Sequence, residues 1–457
     1  PSSEPSDASR SDNVERALDI FFMVDNSTSI SWNDAGDMRL DIMKAMVDFY
    51  ALTPRQGAYD RFALIQFTGR EESEREGRKV LWRDPKSVGT PALAEQLKKD
   101  IETLYAVPWG KTMDIGVAFD RGLKLIFDEK AGAREKYMSL PENDRPAIAG
   151  QPAFNPLWVI VMTDGVTEVF AGADTPQHYI EHAAKLAAGD PSISPNEQAL
   201  FDALANERGF DPRVDAVDLE PQHINAAADA LINAIVADGY TLPNLKYTPI
   251  SLSPRAQIRA GILNNLALKY SDPTGRVINS TGRAFRDIFL PLLELRPTGA
   301  RPSVYDYRYD VISPGQTANH EAKVYPGNRR TRIVVFCTQM NENETPLNEA
   351  PVFEVELTKN GKPVKASISG SGRYRIFNLD PLGADAQGVY AIKVKNAYAG
   401  SDVRRLGFES TVFSEFDLKT QVALQHRDHY SAPLLAELKL VRADDKKIGR
   451  ASCRERV

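Results

Sequence analysis

Residues 20–29 read IFFMVDNSTS, an apolar run that ends in one acid and two hydroxyl side chains on alternate positions. The apolar run covers residues 17–24, and its length and composition are typical of a strand buried on both faces of a parallel sheet. Ligands of open α/β sheets bind at the carboxyl ends of the strands. Asp25, Ser27 and Ser29 are therefore candidate ligand-binding residues.

Two later segments extend this pattern. The sequence Gly-Lys-Thr that ends at Thr112 precedes residues 113–127, whose apolar side chains recur at helical spacing. Thr112 is therefore predicted to lie in a loop at the start of a helix. Residues 157–162 form a second apolar run, which predicts a buried strand, and this run ends in the sequence Thr163-Asp164-Gly165.

In their order along the chain, these segments resemble the metal-ion-dependent adhesion site of von Willebrand factor A-type domains. All five motif positions match, and the resemblance implies metal binding by Asp25, Ser27, Ser29, Thr112 and Asp164. In the family, the residues matching Ser27 and Ser29 bind the metal directly. The residue matching Thr112 joins them in the ligand-ready state, whereas those matching Asp25 and Asp164 act largely through water.

The resemblance also implies the ion and the fold. Three hydroxyls and two carboxylates suit a hard cation, so Mg²⁺ is the expected ion, with Mn²⁺ or Ca²⁺ as alternatives. The implied fold is α/β, with a Rossmann-like, doubly wound, mostly parallel sheet. The structural alternative is a turn in which Ser27 and Ser29 only cap backbone amides.

The function implied by the resemblance is non-enzymatic adhesion or scaffolding. The ion of such a site carries little negative charge from the protein, so it can take a carboxylate of a partner protein as its last ligand. The alternative is an accessory subunit of an AAA-type ATPase or a metal-chelatase-like machine, because such machines also use A-type domains. The β modules predicted after this domain favour adhesion, since those machines normally pair the domain with an ATPase.

The composition is that of a soluble globular protein, with 42% hydrophobic residues, 26% charged residues and a formal net charge of −6. A mildly acidic chain without a basic stripe argues against a nucleic-acid partner. No apolar run approaches the roughly 20 residues of a membrane span. The layout resembles bacterial exported proteins, so the expected location is extracytoplasmic, in the periplasm or at the cell surface, with a membrane anchor lost downstream.

The chain is expected to hold more than one domain, because it has 457 residues. The predicted parts are, in order, a disordered linker (1–12), an A-type domain (13–296) with a helical insertion at the rim of the metal site (166–222), a linker (297–318), an Ig-like β-sandwich (319–398) and the start of a second, truncated β module (410–447). Residues 448–457 look like a translated sequencing-library adapter and are excluded from the fold prediction.

Two further patterns suggest other chemistry. His178, Glu181 and His182 match the His-x-x-Glu-His pattern of inverted zinc peptidases. No third zinc ligand is evident, so a solvated helix face is the favoured interpretation of this short pattern. Cys337 stands alone in an apolar strand, where a buried small hydrophobe is more common than a nucleophile.

Overall fold

The structure of the protein is a computed structural model that describes part of the chain. The described residues are 16–26, 30, 34, 37–55, 58–67, 81–105, 129–130, 132–146, 151–163, 189–191, 245–252, 278–279, 285–296, 303–325, 328–347, 349–416, 418–425, 435–442 and 447–454. The chain forms two compact units. The first comprises Pro1–Ala300, Thr338–Pro351 and Gly370–Tyr374, and the second comprises the remaining residues.

The first unit contains a six-stranded sheet. Its strands are β1 (Asp19–Asp25), β2 (Arg61–Phe67), β3 (Leu81–Ser87), β4 (Leu157–Thr163), β5 (Leu245–Ser251) and β6 (Ile278–Asn279). The strands lie in the order β3-β2-β1-β4-β5-β6, and all neighbours are parallel except the antiparallel pair β2 and β3. This arrangement confirms an α/β fold with a mostly parallel sheet in this part of the chain.

Helices cover this sheet. They are α1 (Met38–Tyr50), α2 (Pro91–Tyr105) and a π-helical turn (Phe285–Phe289) that continues into α3 (Leu290–Glu294). Every residue of β1 and β4 is buried, as expected for central strands with both faces covered. The helices predicted over 113–127 and within the 166–222 insertion lie outside the described residues, apart from 189–191.

Buried ion pairs lie at the amino ends of strands β1 and β2. Asp19, the first residue of β1, accepts two hydrogen bonds from Arg61 at 2.6 and 2.8 Å. Burial alone would raise the pKa of Asp19, but Arg61 and Lys130 outweigh burial and lower it. Asp60, directly before β2, binds both terminal nitrogens of Arg296 at 3.0 Å. These charges therefore lie at the edge of the sheet opposite to Asp25.

The first unit also includes a short segment from much later in the sequence, Gly370–Tyr374, which packs on α1. The Tyr374 hydroxyl donates to Asp48 Oδ2 at 2.7 Å, and Arg373 Nε lies 3.2 Å from Asp41 Oδ2. All thirteen residues of α1 are buried, including the polar ones. This helix therefore has no solvent-facing stripe, in contrast to a typical surface helix.

Two antiparallel sheets follow and form a β-sandwich. The four-stranded sheet has the order β11-β10-β14-β8 and the five-stranded sheet has the order β12-β13-β9-β15-β7. The strands are β7 (Ser303–Ile312), β8 (Thr317–Val324), β9 (Asn328–Met340), β10 (Phe353–Lys359), β11 (Lys362–Pro363), β12 (Ser367–Ser371), β13 (Tyr374–Asn378), β14 (Gly388–Asn396) and β15 (Arg405–Phe416). Side chains from both sheets share one apolar core, which includes Val335, Ile392 and Phe408.

The sandwich begins earlier and ends later than the sequence indicates. Residues 297–318 were predicted to be a linker, but they contain β7 and the start of β8. Tyr305, Tyr307 and Tyr309 occupy alternate positions of β7, which pairs with β15. The residues after 410, predicted to open a second module, first complete β15. A separate three-stranded sheet then follows, with the order β16 (Leu418–Gln425), β17 (Leu435–Arg442) and β18 (Lys447–Arg454).

The strand β18 includes most of the residues attributed to an adapter, and the origin of that segment stays a prediction. The Ig-like character of the sandwich also stays a prediction.

Candidate functional site

The candidate site lies where the strand order of the α/β sheet reverses. From β1, the chain builds the sheet outward through β2 and β3 on one side and through β4, β5 and β6 on the other. The carboxyl ends of β1 and β4 are therefore neighbours at a topological switch point, which is the usual ligand-binding position in open α/β sheets.

The two strand ends are joined by side chains. Asp25, the last residue of β1, accepts a hydrogen bond through Oδ2 from the Thr163 hydroxyl, the last residue of β4, at 3.0 Å. Both residues are fully buried. The ladder continues beyond the strands, since Asn26 N donates to the Phe67 carbonyl at 2.9 Å and Leu252 N donates to the Thr163 carbonyl at 2.8 Å. Both strand ends are thus held by main-chain as well as side-chain bonds.

Of the five predicted metal-binding residues, Asp25 is described by the structure. Ser27, Ser29, Thr112 and Asp164 lie outside the described residues. Two of the three motif segments nevertheless continue directly from described strand ends. Ser27 follows Asn26 in the sequence, and Asp164 follows Thr163. These two segments therefore leave the sheet at neighbouring points, which the hydrogen bond between Asp25 and Thr163 joins.

A buried arginine adjoins this edge of the sheet. Arg39, in the first turn of α1, places Nη1 2.6 Å from Asp34 Oδ2 and 3.0 Å from Asp37 Oδ1. Its Nη2 donates to Asn26 Oδ1 at 3.0 Å and to the Tyr105 carbonyl at 3.4 Å. One guanidinium therefore contacts the end of β1, the segment before α1 and the end of α2.

The electrostatics of this arginine follow from its burial. Desolvation would lower the pKa of Arg39, but the neighbouring carboxylates of Asp34 and Asp37 outweigh it and raise the pKa. Burial raises the pKa of Asp34, although the guanidinium opposes that shift. Asp34 also accepts from the backbone N of Arg39, with both carboxylate oxygens at 3.3 Å. The pair is best described as a buried ion pair locked to the helix start.

Sequence reasoning did not identify Arg39, Asp34 or Tyr105. The helical pattern places Arg39 among the polar positions of α1, where exposure is the default expectation. The signal that could have pointed to it is the sequence Asp34-Ala-Gly-Asp37-Met-Arg39, which sets two acids and a base within six residues after the motif. That signal alone does not distinguish a buried ion pair from a solvated loop.

The chemistry of the motif residues fits a hard divalent cation. Mg²⁺ takes oxygen ligands and keeps several waters, and the motif offers only hydroxyl and carboxylate oxygens. Asp25 is a buried carboxylate at the strand end, with one oxygen oriented by a neutral hydroxyl. Over the described ranges, no group of three or more His, Cys, Asp or Glu side chains is arranged to hold a metal ion. Most of the motif lies outside those ranges.

The alternative sites receive no support from described residues. His178, Glu181 and His182 fall outside the described ranges, so the zinc pattern stays untested. Cys337 lies in β9 with no exposed surface, and burial raises the pKa of its thiol, which opposes formation of a nucleophilic thiolate. Among the helices that the structure describes, none is long and apolar enough to cross a membrane.

Comparison with known proteins gives distant structural similarities. No protein-family model matches the chain, and no curated protein matches it. The pilus adhesin SpaC from Lactobacillus rhamnosus GG, in its open conformation, is 10% identical with a TM-score of 0.36. That match covers 97% of this chain and 43% of SpaC, so the chain spans less than half the length of that protein.

Two shorter proteins are similar to parts of the chain. The vWF domain of the type V pili tip protein Mfa5 from Porphyromonas gingivalis is 15% identical over 62% of this chain and 97% of that domain, with a TM-score of 0.30. The manganese-loaded TRAP protein of Plasmodium vivax is 16% identical over 49% of this chain and 74% of that protein, with a TM-score of 0.21. These similarities are too distant to assign a family or a function.

Proposed function

We propose that the α/β unit is a von Willebrand factor A-type domain that binds a divalent cation, with Mg²⁺ as the expected ion. The observation that carries this proposal is the hydrogen bond between Asp25 and Thr163 at the strand-order reversal. It supports the motif because it joins the two strand ends that continue into Ser27 and Asp164. The proposed metal-binding residues are Asp25, Ser27, Ser29, Thr112 and Asp164, with Asp25 and Asp164 acting largely through water.

The proposed role is non-enzymatic binding of a partner protein, in adhesion or scaffolding. When bound, the cation would supply a Lewis-acidic position that takes a carboxylate oxygen from the partner. The chain's own part is to hold its oxygen ligands at a buried strand end, where water is partly excluded and charge interactions are stronger. The β-sandwich that follows suits a spacer, and this supports adhesion over the role of an ATPase accessory subunit. We propose that the protein acts outside the cytoplasm.

The first test is metal binding by the full chain. Calorimetry with Mg²⁺ and Mn²⁺ should show one site, and thermal unfolding should shift upward relative to protein in EDTA. Binding to the folded state alone is expected to stabilise it by about 2.7 kcal/mol at a hundredfold excess of ion over Kd. Asp25→Asn keeps the shape of the side chain and removes the charge, so it should abolish most of this gain.

A matched control is Asp48→Asn. Asp48 is also a buried acid of the first unit, but it lies at the far end of α1, bound to Lys98 at 3.0 Å and to Tyr374. This variant should lose stability yet keep the stabilisation by Mg²⁺. If the wild type shows no ion-dependent shift, or if Asp25→Asn retains the full shift, the metal-binding proposal is wrong.

The second test concerns the partner's carboxylate. Acetate, as the smallest carboxylate, should displace water from protein-bound Mn²⁺ and lower the water-proton relaxation rate. Acetamide, which has the same shape without the charge, should have a much weaker effect. Equal responses to both compounds would contradict the proposed recognition of acidic side chains.

A further inference from the structure

Arg39 contacts one residue within the metal motif and others close to it in the sequence. Asn26, which accepts from Nη2, lies between Asp25 and Ser27 in the sequence. Tyr105, whose carbonyl accepts from the same nitrogen, ends α2, and the chain then continues toward Thr112. Arg39 therefore bridges the Asn26 side chain, within the first motif segment, and the Tyr105 carbonyl, on the approach to the second.

The bridge depends on the shape of arginine. A guanidinium has donors in a rigid planar fork, so it can hold partners in different directions at once, whereas a lysine ammonium acts as a single charged point. Arg39 uses Nη1 for the two acids and Nη2 for the amide and the carbonyl. Its Nε has no partner within the described part of the chain.

The burial of Arg39 in an ion pair is not by itself evidence of a stabilising role. A buried ion pair costs desolvation free energy, and a well-packed apolar residue of similar volume is often as good or better for stability. Tyr105 is itself anchored, because its hydroxyl donates to the Ile65 carbonyl in β2 at 3.0 Å. Arg39 is thus connected to two fixed points of the sheet, through Asn26 and Tyr105, and it holds the segment containing Asp34 between them.

We propose that Arg39 is a positioning residue that orders the metal-binding loop after β1 through its bonds to Asn26, Asp34 and the Tyr105 carbonyl. The proposal rests on the proposed function, since the sequence between Asn26 and Asp34 includes Ser27 and Ser29. Arg39 does not bind the metal itself. It acts by fixing both ends of the loop, the first at Asn26 and the last at Asp34 and Asp37.

The test compares two substitutions in the full chain. Arg39→Lys keeps the positive charge, but its single nitrogen cannot bond the acids held by Nη1 and the Asn26 and Tyr105 oxygens held by Nη2 at the same time. Arg39→Met removes the charge and leaves Asp34 uncompensated. Free Mn²⁺ is measured by its electron paramagnetic resonance signal during titration. Both variants should bind Mn²⁺ about 10- to 100-fold more weakly, as for loss of other groups that orient metal ligands, whereas Arg39→Met should have the lower thermal midpoint.

The matched control is Arg296→Lys. Arg296 is equally buried and forms an ion pair with Asp60, but it lies at the opposite edge of the sheet. This variant should lose stability and keep the wild-type affinity for Mn²⁺. The proposal is overturned if Arg39→Lys binds Mn²⁺ within twofold of the wild type, or if Arg296→Lys weakens binding as much as Arg39→Lys does.

A second readout does not use the metal. In EDTA, amide hydrogen exchange in peptides covering residues 26–37 should be at least tenfold faster in Arg39→Lys than in the wild type, and unchanged in Arg296→Lys. Unchanged exchange in Arg39→Lys overturns the positioning role even if the wild type binds Mn²⁺ normally. A wild type that fails to bind Mn²⁺ refutes the proposed function, and it also overturns the metal part of this inference.

Discussion

His320 in the β-sandwich should make the stability of that unit depend on pH. Its ring stacks on Phe408 with 3.9 Å between ring centroids, and its Nδ1 lies 2.7 Å from the Ser410 hydroxyl. Burial lowers the pKa of His320 from 6.5 to about 4; nearby Asp310 opposes this shift and Arg308 adds to it. The folded state therefore binds this proton more weakly than the unfolded chain does.

The sign and size of the effect follow from this difference in pKa. Between pH 6.5 and 4 the unfolded state holds more protons on this residue, so stability falls as the pH falls. The contribution is fully present above pH 6.5. Linkage with these two pKa values gives a loss of about 2 kcal/mol between pH 7 and pH 5, and about 3 kcal/mol by pH 4.

The assay compares the wild type with His320→Gln, which retains a group able to bond Ser410 but does not titrate. The free energy of unfolding of the sandwich is measured with guanidinium chloride at several values between pH 7 and pH 4. Subtracting the value for His320→Gln from that for the wild type removes the contribution of the other titrating groups. The advantage of the wild type should shrink by about 2 kcal/mol between pH 7 and pH 5. A ¹³C resonance of His320 titrating near pH 6.5, or a difference that stays constant with pH, would refute the reasoning.

Two other predictions concern buried side chains. Trp158→Phe removes the indole N–H that donates to the Thr248 hydroxyl at 2.9 Å. The free energy of unfolding of the α/β unit, measured by chemical denaturation, should therefore fall by about 1–3 kcal/mol. An unchanged value would contradict a stabilising role for this hydrogen bond. Cys337 is buried with a raised pKa, so a Cys453→Ser variant should resist maleimide in its native state and react fully once denatured. Rapid labelling of the native protein, seen by intact mass, would show that the thiol is accessible.

Local signals in the sequence predicted several elements correctly. The central strands β1 and β4 are uninterrupted apolar runs with polar side chains at their carboxyl ends, so both their burial and their direction relative to the ligand edge could be predicted. The Asn360-Gly361 pair is a sequence typical of a tight hairpin, and the structure places both residues at positive φ, 53° and 71°, between β10 and β11. In each case, the information lies within a few neighbouring residues.

Features that depend on distant partners could not be predicted in this way. Arg39 is buried because it bonds to Asn26 and Tyr105, which are 13 and 66 positions away, while the local helical pattern favours exposure. Residues 303–312 form β7 by pairing with β15, about a hundred positions later, although residues 297–318 were predicted to be a linker. Propensity describes a short window of sequence, and these partners lie outside any such window.

The packing of Gly370–Tyr374 on α1 also has a consequence for biosynthesis. The ribosome completes residue 300 before residue 374 exists, so α1 emerges without the Arg373 and Tyr374 side chains that pair with Asp41 and Asp48. Domains generally fold as units in the order in which they are synthesised, but this α/β unit cannot reach its final packing in that order. Its last step must wait for translation of the β region, and a product released early would present the uncovered polar side of α1 to water.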